Sequence, residues 1–362
     1  MAAYSEEQAA HSICETAIPK KAVKLVVWDL DNTLWQGTLL EDDSVVLREN
    51  IVEILKTLDG RGILNSIASK NEHDMAMAKL REFGIDEFFI YPKINWNAKS
   101  ANITEIIQQV GISADSVAFV DDQNFERAEV TYTIPQVRAF DIPEIDVLVS
   151  QPEFIPPFIT DESAKRRKMY LAEAARKTAE TEFTGPQEEF LATLKMKFTI
   201  SHATESDLRR AEELTVRTNQ LNTTGRTYSY DELVQLRESN NHLLLIAGLD
   251  DRWGPYGKIG LALIQQEPGQ WTIKLLLMSC RVISRGVGTI LLSYILRQAQ
   301  DAGVRVLAEF KSNDRNRMMF ITYRMAGFRE IGKSYDSLLL ENSLEQIAAF
   351  PRYISLVLPA EN

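Results

Sequence analysis

The chain has 362 residues, more than one ordinary core holds and about right for two domains. Apolar residues make up 45% and charged ones 25%, the balance of a soluble globular protein and not of a disordered one. Forty Lys and Arg stand against 51 Asp and Glu, a formal charge of −11, which argues against nucleic acid as a partner because neutralising phosphates needs surplus cations. Two cysteines, Cys14 and Cys280, exclude a disulfide framework and a thiolate zinc site, so a cytoplasmic location is expected. No run approaches the roughly 18 apolar residues of a membrane span, and the N-terminus lacks the cationic start and apolar stretch of an export signal. Neither membrane nor export is expected.

After an N-terminal segment, residues 1–20, apolar runs alternate with amphipathic ones. Ala22–Trp28, Ile63–Ala68, Glu87–Tyr91, Val117–Val120 and Val137–Phe140 read as strands, with little alternation, as suits parallel strands buried on both faces. Helical patterns fall near Val52–Leu58, Asp74–Phe83, Ser100–Val110 and Asn124–Ile134. The alternation predicts a doubly wound parallel α/β sheet over 21–150, with ligands at the carboxyl ends of its strands. Pro143, Pro152, Pro156 and Pro157 mark the exit, and 151–195 reads as a linker with a connecting helix. Within it Lys165–Lys168 is a basic run, read as a solvated helix face or a docking patch for an acidic partner. The second domain, 196–362, begins with a strand at Lys197–His202 and a helix at Ser206–Arg217. An antiparallel pair, His242–Gly248 with Lys258–Gln266, and a strand at Trp271–Arg281 follow. A Gly-containing turn, Ser284–Gly288, then opens an apolar helix to about Ala302, before a strand at Val304–Phe310 and a helix at Asn316–Ala326.

The chemistry is concentrated in the first domain. Asp29 and Asp31 sit two residues apart just past the first strand, on the same side of the chain. Two like charges held close need compensation, which a hard divalent cation such as Mg²⁺ supplies, and an aspartate is also a competent phosphoryl nucleophile. Ser69 follows the second strand and can donate to a phosphoryl oxygen. Lys99 can offset phosphate charge, and Asp121 and Asp122 follow the fourth strand as further oxygen ligands.

This ordered set resembles the haloacid dehalogenase (HAD) superfamily of phosphotransferases. The resemblance makes Asp29 the nucleophile and Asp31 the general acid/base, with Ser69 and Lys99 on the phosphoryl group. It gives Mg²⁺ to Asp29, Asp121 and Asp122, with the backbone carbonyl of Asp31 as a further ligand. Only 36 residues separate Thr33 from Ser69 and 30 separate Ser69 from Lys99, too few for an inserted cap domain. An uncapped site needs a large substrate or the second domain to exclude water.

The second domain resembles the GNAT acyltransferase fold, an α+β domain, in its strand, Gly286–Gly288 turn and apolar helix, and in Asn316, Tyr323 and Gly327-Phe328. An anion at a helix N-terminus is sound physics. On that resemblance Arg285, Gly286, Gly288, Asn316 and Tyr323 are candidates for coenzyme A or phosphopantetheine, although Ile283 replaces the usual Gln or Arg three residues before the first glycine.

The order HAD-like then GNAT-like resembles the FkbH-like family. The residues carrying this are Asp29–Trp35, Ser69-Lys70-Asn71, Phe119–Asp122 with Glu126-Arg127, Arg217–Asn222 and Ser279-Cys280-Arg281. The resemblance implies removal of phosphate from a small phosphorylated acyl donor such as 1,3-bisphosphoglycerate and transfer of the glyceryl unit to an acyl carrier protein thiol, for polyketide-type biosynthesis. It marks Thr33, Asn71, Arg217 and Asn219 for the substrate. Many relatives carry Cys before the Ser-Lys-Asn run, where this chain has Ala68, so no acyl-enzyme thioester can form there. The carrier thiol then attacks directly, another thiol substitutes, or Ala68 stands in place of a natural cysteine. Cys280 is the candidate substitute, against a reading as a small buried hydrophobe. The competing readings are a stand-alone phosphatase, a coenzyme A-dependent acyltransferase, and a non-catalytic adaptor that presents a carrier protein.

Overall fold

The computed structural model of the chain describes residues 21–42, 44–218 and 220–359, without the side chains of 280, 284 and 334. Cys14, Asn219 and the Cys280 side chain lie outside the described residues. The described chain falls into two compact units, one reaching to Pro157 and the other running from Phe158 onward, with Asp59–Gly62 grouped with the second.

The first unit runs β1 (Leu25–Trp28), β2 (Trp35–Gln36), β3 (Val46–Leu47), α1 (Ile51–Gly60), β4 (Leu64–Ser69), α2 (His73–Glu82), β5 (Lys93–Ile94), α3 (Lys99–Val110), β6 (Val117–Val120), α4 (Asn124–Thr133), β7 (Arg138–Phe140) and α5 (Ile145–Leu148). Its parallel sheet has the order β5-β4-β1-β6-β7, so the most apolar strand, Leu25-Val26-Val27-Trp28, is central and fully buried. Burial on both faces is what an unbroken apolar run permits. One face carries Val26, Trp28, Ile67, Ala118 and Val120 into a core shared with α1 and α2. The sheet is HAD-like. Between Thr33 and Ser69 the described residues form only the β2–β3 hairpin and α1, and between Ser69 and Lys99 only α2, a 3₁₀ turn and β5.

One expected strand moves. Glu87–Tyr91 is not a strand: Asp86–Phe88 is a 3₁₀ turn, Phe89 makes a single bridge to Asn65, and the paired strand is Lys93–Ile94. Tyr91 has φ +50°, turning the chain before Pro92, so the buried Phe88, Phe89 and Ile90 fill the core without forming a ladder.

The second unit runs α6 (Asp161–Ala164), α7 (Arg166–Glu182), α8 (Gln187–Thr193), β8 (Met196–His202), α9 (Glu205–Arg217), α10 (Tyr230–Glu238), β9 (His242–Asp251), β10 (Gly254–Glu267), β11 (Gln270–Met278), α11 (Val287–Asp301), β12 (Arg305–Phe310), α12 (Arg317–Met325), β13 (Phe328–Ser334), β14 (Ser337–Asn342) and β15 (Ile354–Val357). The sheet order is β13-β14-β12-β11-β10-β9-β8-β15. It is mostly antiparallel, with β11 parallel to β12 across α11 and β15 parallel to β8. This is a GNAT-like α+β arrangement. The expected strand Trp271–Arg281 ends at Met278 and gives way to a 3₁₀ turn over Cys280–Arg285.

The basic run at the start of α7 is a solvated helix face only in part. Arg166 pairs with the buried Glu213 at 3.0 Å and Arg167 is buried, leaving Lys165 and Lys168 as its exposed members. Arginines are drawn inward here because Glu213, wholly buried, takes Arg210 and Arg217 (both 2.6 Å) as well as Arg166.

Candidate active site

The register of the first sheet assembles the site. Trp28 pairs with Ile67 on one side and Val120 on the other, so the next residue of each strand, Asp29, Ala68 and Asp121, lies at one level. The Asp29 amide donates to the Val120 carbonyl at 2.9 Å. Asp29, Ser69 and Asp121 are all buried at the carboxyl edge of the sheet, and Ser69 hydrogen-bonds the Asp29 carboxylate.

Lys99 is the first residue of α3, where the helix dipole disfavours a cation. It is held there, 2% exposed, by two carboxylates: its Nζ lies 2.9 Å from Asp29 Oδ1 and 2.5 Å from Asp121 Oδ2. Burial alone pulls the ammonium down, but Asp29 and Asp121 outweigh it and raise its pKa. Burial pushes Asp29 up, against the pull of Lys99. Burial and the Asp29 charge push Asp121 up to about 6, and the same two causes raise Asp122.

Carboxylate oxygens of Asp29, Asp121 and Asp122 lie within 4.8 Å of one another, and the buried Oδ1 of Asp122 has no hydrogen-bond partner. Three carboxylates against one ammonium leave a charge deficit that a hard dication fits, with an oxygen already free to bind it. The residues present therefore suit Mg²⁺.

Asp31 stands apart from that set. Its Oδ1 accepts from the Trp35 indole (2.8 Å) and the Leu39 amide (3.1 Å), and its Oδ2 from the Asn71 side-chain amide (2.9 Å). Its carboxylate is thus held away from the three that converge, leaving its backbone carbonyl. Asn71, marked for the substrate, spends its amide on Asp31 and its carbonyl on the Glu72 amide. Thr33 is buried, and its Oγ1 accepts from the Asp122 amide at 3.2 Å, so it positions a carboxylate instead of reaching outward.

Three positioning groups carried no chemical signal in the sequence. Trp35 orients Asp31. Arg127 donates to the Asp121 carbonyl (2.7 Å) and pairs with Asp141 (2.8 Å), and Lys70 binds Glu126 at 2.7 Å. Trp35, Arg127, Lys70 and Glu126 are marked only by the family resemblance. Ala68 is fully buried in β4.

The remaining candidates lie in the second unit. Arg217 ends α9 with its guanidinium on Glu213. Arg285 is buried with Glu180 at 3.5 Å. Gly286 takes φ +73° just before α11, which Gly288 continues, and Asn316 and Tyr323 are wholly buried.

Residues 35–128 match the haloacid dehalogenase-like hydrolase family. The match takes in Ser69, Lys99, Asp121 and Asp122 and begins just after Asp29 and Asp31. Among curated proteins none matches. Similar solved structures include the N-terminal part of BF1531 from Bacteroides fragilis, described as containing a phosphatase domain complexed with Mg. It is 25% identical over 42% of this chain and 39% of its own length, with a TM-score of 0.31. Others are the ribosomal-protein-S18-alanine N-acetyltransferase from Escherichia coli (16% identity, 40% of this chain, 90% of that one, TM-score 0.31) and the PaiA N-acetyltransferase from Thermoplasma acidophilum in complex with coenzyme A (16%, 40%, 98%, TM-score 0.33). This chain spans 39% of the length of the Bacteroides protein's chain. Residues 35–128 are thus similar to haloacid dehalogenase-like hydrolases, within a sheet of that type.

Proposed function

We propose that this chain is a Mg²⁺-dependent HAD-type phosphatase and acyl transferase. In this reading it removes phosphate from a small acyl phosphate resembling 1,3-bisphosphoglycerate and passes the glyceryl or related acyl unit to the thiol of an acyl carrier protein. The observation that carries the phosphate chemistry is the convergence of Asp29, Asp121 and Asp122 on one point, with Lys99 and Ser69 beside Asp29.

On a donor that carries both an ester and an acyl phosphate, Asp29 attacks the phosphorus of the ester: a bond forms from its carboxylate oxygen and the bond to the alkoxide oxygen breaks, with that oxygen keeping the electron pair and the acyl phosphate left intact for the thiol. Asp31, oriented by Trp35, Leu39 and Asn71, gives the leaving oxygen its proton and later takes one from the water that frees Asp29. Lys99 and the Ser69 hydroxyl hold the charge on the transferred group. Asp29, Asp121 and Asp122 would hold Mg²⁺, which would supply electrostatic stabilisation of that group.

Acyl transfer requires a thiolate to form a C–S bond at the acyl carbon while the C–O bond to phosphate breaks and phosphate departs. Ala68 provides no thiol, so the carrier's own pantetheine thiol attacks directly. Incubation of carrier protein with acyl phosphate, Mg²⁺ and this enzyme should add one acyl mass to the carrier by intact-mass spectrometry. No mass gain removes the transferase reading. It leaves a plain phosphatase, the second reading, which Ala68 favours.

A further inference from the structure

We infer that the second unit is closed to coenzyme A and to free pantetheine by its own chain, because residues Leu221–Thr223 fill the wedge between β11 and β12 as a resident strand. The inference does not depend on the phosphate chemistry of the first unit.

The two strands pair in parallel only from Gln270–Ile273 to Arg305–Ala308. Beyond that register β11 continues to Met278 with β10 on its other side, so its edge toward β12 has backbone groups to satisfy. Such an opened edge accepts an extended chain bearing amides, which describes both a peptide strand and the pantetheine arm.

Here the place is taken. Asn222 forms an antiparallel bridge to Leu277. The Met278 amide donates to the Leu221 carbonyl (2.9 Å), and the Thr223 amide donates to the Leu276 carbonyl (3.1 Å). The Leu276 amide donates to Thr223 Oγ1 at 3.0 Å. On the β12 side the Lys311 amide donates to the Thr223 carbonyl at 3.0 Å. Asn316 clasps the whole: its side-chain amide donates to the carbonyls of Asn222 (3.0 Å) and Lys311 (2.8 Å). Asn222, Thr223, Asn316 and Tyr323 are all 0% exposed, and the Tyr323 ring lies beside Thr223. Of the candidate coenzyme residues, Asn316 is thus occupied by the chain itself, while Tyr323 is wholly buried beneath it with no hydrogen-bond partner for its hydroxyl among the described residues.

At the turn before α11 a Cβ on Gly286 would stand 2.9 Å from the Tyr353 hydroxyl, and the buried Arg285 pairs with Glu180 at 3.5 Å. A ligand entering the wedge must replace every one of these buried hydrogen bonds before it gains anything.

The test is calorimetric titration of the full chain with coenzyme A and with acetyl-coenzyme A, joined to residue-resolved hydrogen exchange. We expect no saturable binding of either up to millimolar concentration. The amides of Thr223, Leu276, Met278 and Lys311 should exchange slowly and identically with and without coenzyme A. Saturable binding of either ligand overturns the inference, and so does rapid exchange at Thr223 and Lys311 in the free protein. Asn316→Ala should speed exchange at Thr223 and Lys311 at least tenfold while the β9–β10 ladder stays protected, and an unchanged rate there also contradicts it.

Discussion

Lys99 stands at the end of its helix that repels cations, and only the carboxylates opposite it account for that placement. Replacing it by methionine leaves Asp29 and Asp121 buried without their counter-charge. Lys99→Met should therefore cost about 3–5 kcal/mol in a denaturant melt without metal, with Mg²⁺ restoring more stability to the variant than to the parent. Asp31 is built differently, since its carboxylate is held by Trp35, Leu39 and Asn71 and lies outside the three that converge. Asp31→Asn should keep Mg²⁺ binding, read by calorimetry, while phosphate release falls by about 10²–10⁴-fold. Loss of both together would place Asp31 among the metal-holding groups. The gathering of Asp29, Ser69, Lys99, Asp121 and Asp122 was legible in the sequence because these residues follow strands, and a parallel sheet brings its strand ends to one edge. Trp35, Thr33 and Arg127 were not legible as positioning groups. Their partners sit across loops or on the backbone, and such pairing is a property of the fold and not of the residue type.

Among the elements, the strands of the first sheet could be read because burial on both faces leaves an unbroken apolar run, as in Leu25–Trp28. The misplaced strand before β5 shows the limit of that rule, since Phe88, Phe89 and Ile90 are as buried as a strand but the chain turns at Tyr91 before a ladder forms. Polar runs hid structure as well. The polar segment after Arg217 has no apolar alternation, yet three of its residues complete a sheet edge. In α9, Glu213 collects three arginines in full burial, so its carboxyl lies below the ordinary glutamate value: burial opposes this, and Arg210, Arg217 and Arg166 override it. With its folded pKa below the unfolded one, its contribution is present at neutral pH and is lost as pH falls through the folded value. Glu213→Gln should destabilise the second unit by about 3–5 kcal/mol at pH 7, measured by chemical denaturation, and by less in acid. A loss under 1 kcal/mol at pH 7 would show that the three arginines are satisfied elsewhere.

At the scale of the whole molecule, the charge of −11 sets how partners approach. An acidic carrier protein meets a repulsive field, so its association rate should rise with ionic strength in stopped-flow measurements, the reverse of steered encounter. The carboxylate site sets the response to pH. Asp121 is raised from 3.8 to about 6, so between those values the folded state binds a proton more tightly than the unfolded chain. Stability without metal should therefore fall as pH rises through that window, and Mg²⁺, which competes with the proton, should raise Tm little at pH 5 and fully above pH 7. Equal gains at both values would argue against this carboxylate cluster as the metal's seat. The division into two units was visible from length and the proline-rich exit, but the closure of the wedge in the second unit was not, because it depends on which segment pairs with which edge. The central claim, phosphate chemistry at Asp29 with Mg²⁺, is tested most directly by phosphate release from a phosphate ester by the parent and by Asp29→Asn, each with Mg²⁺ and with chelator. Release by the parent with Mg²⁺ alone, and none above background from folded Asp29→Asn, is the predicted result. Equal release by Asp29→Asn, or release unaffected by chelator, would contradict it.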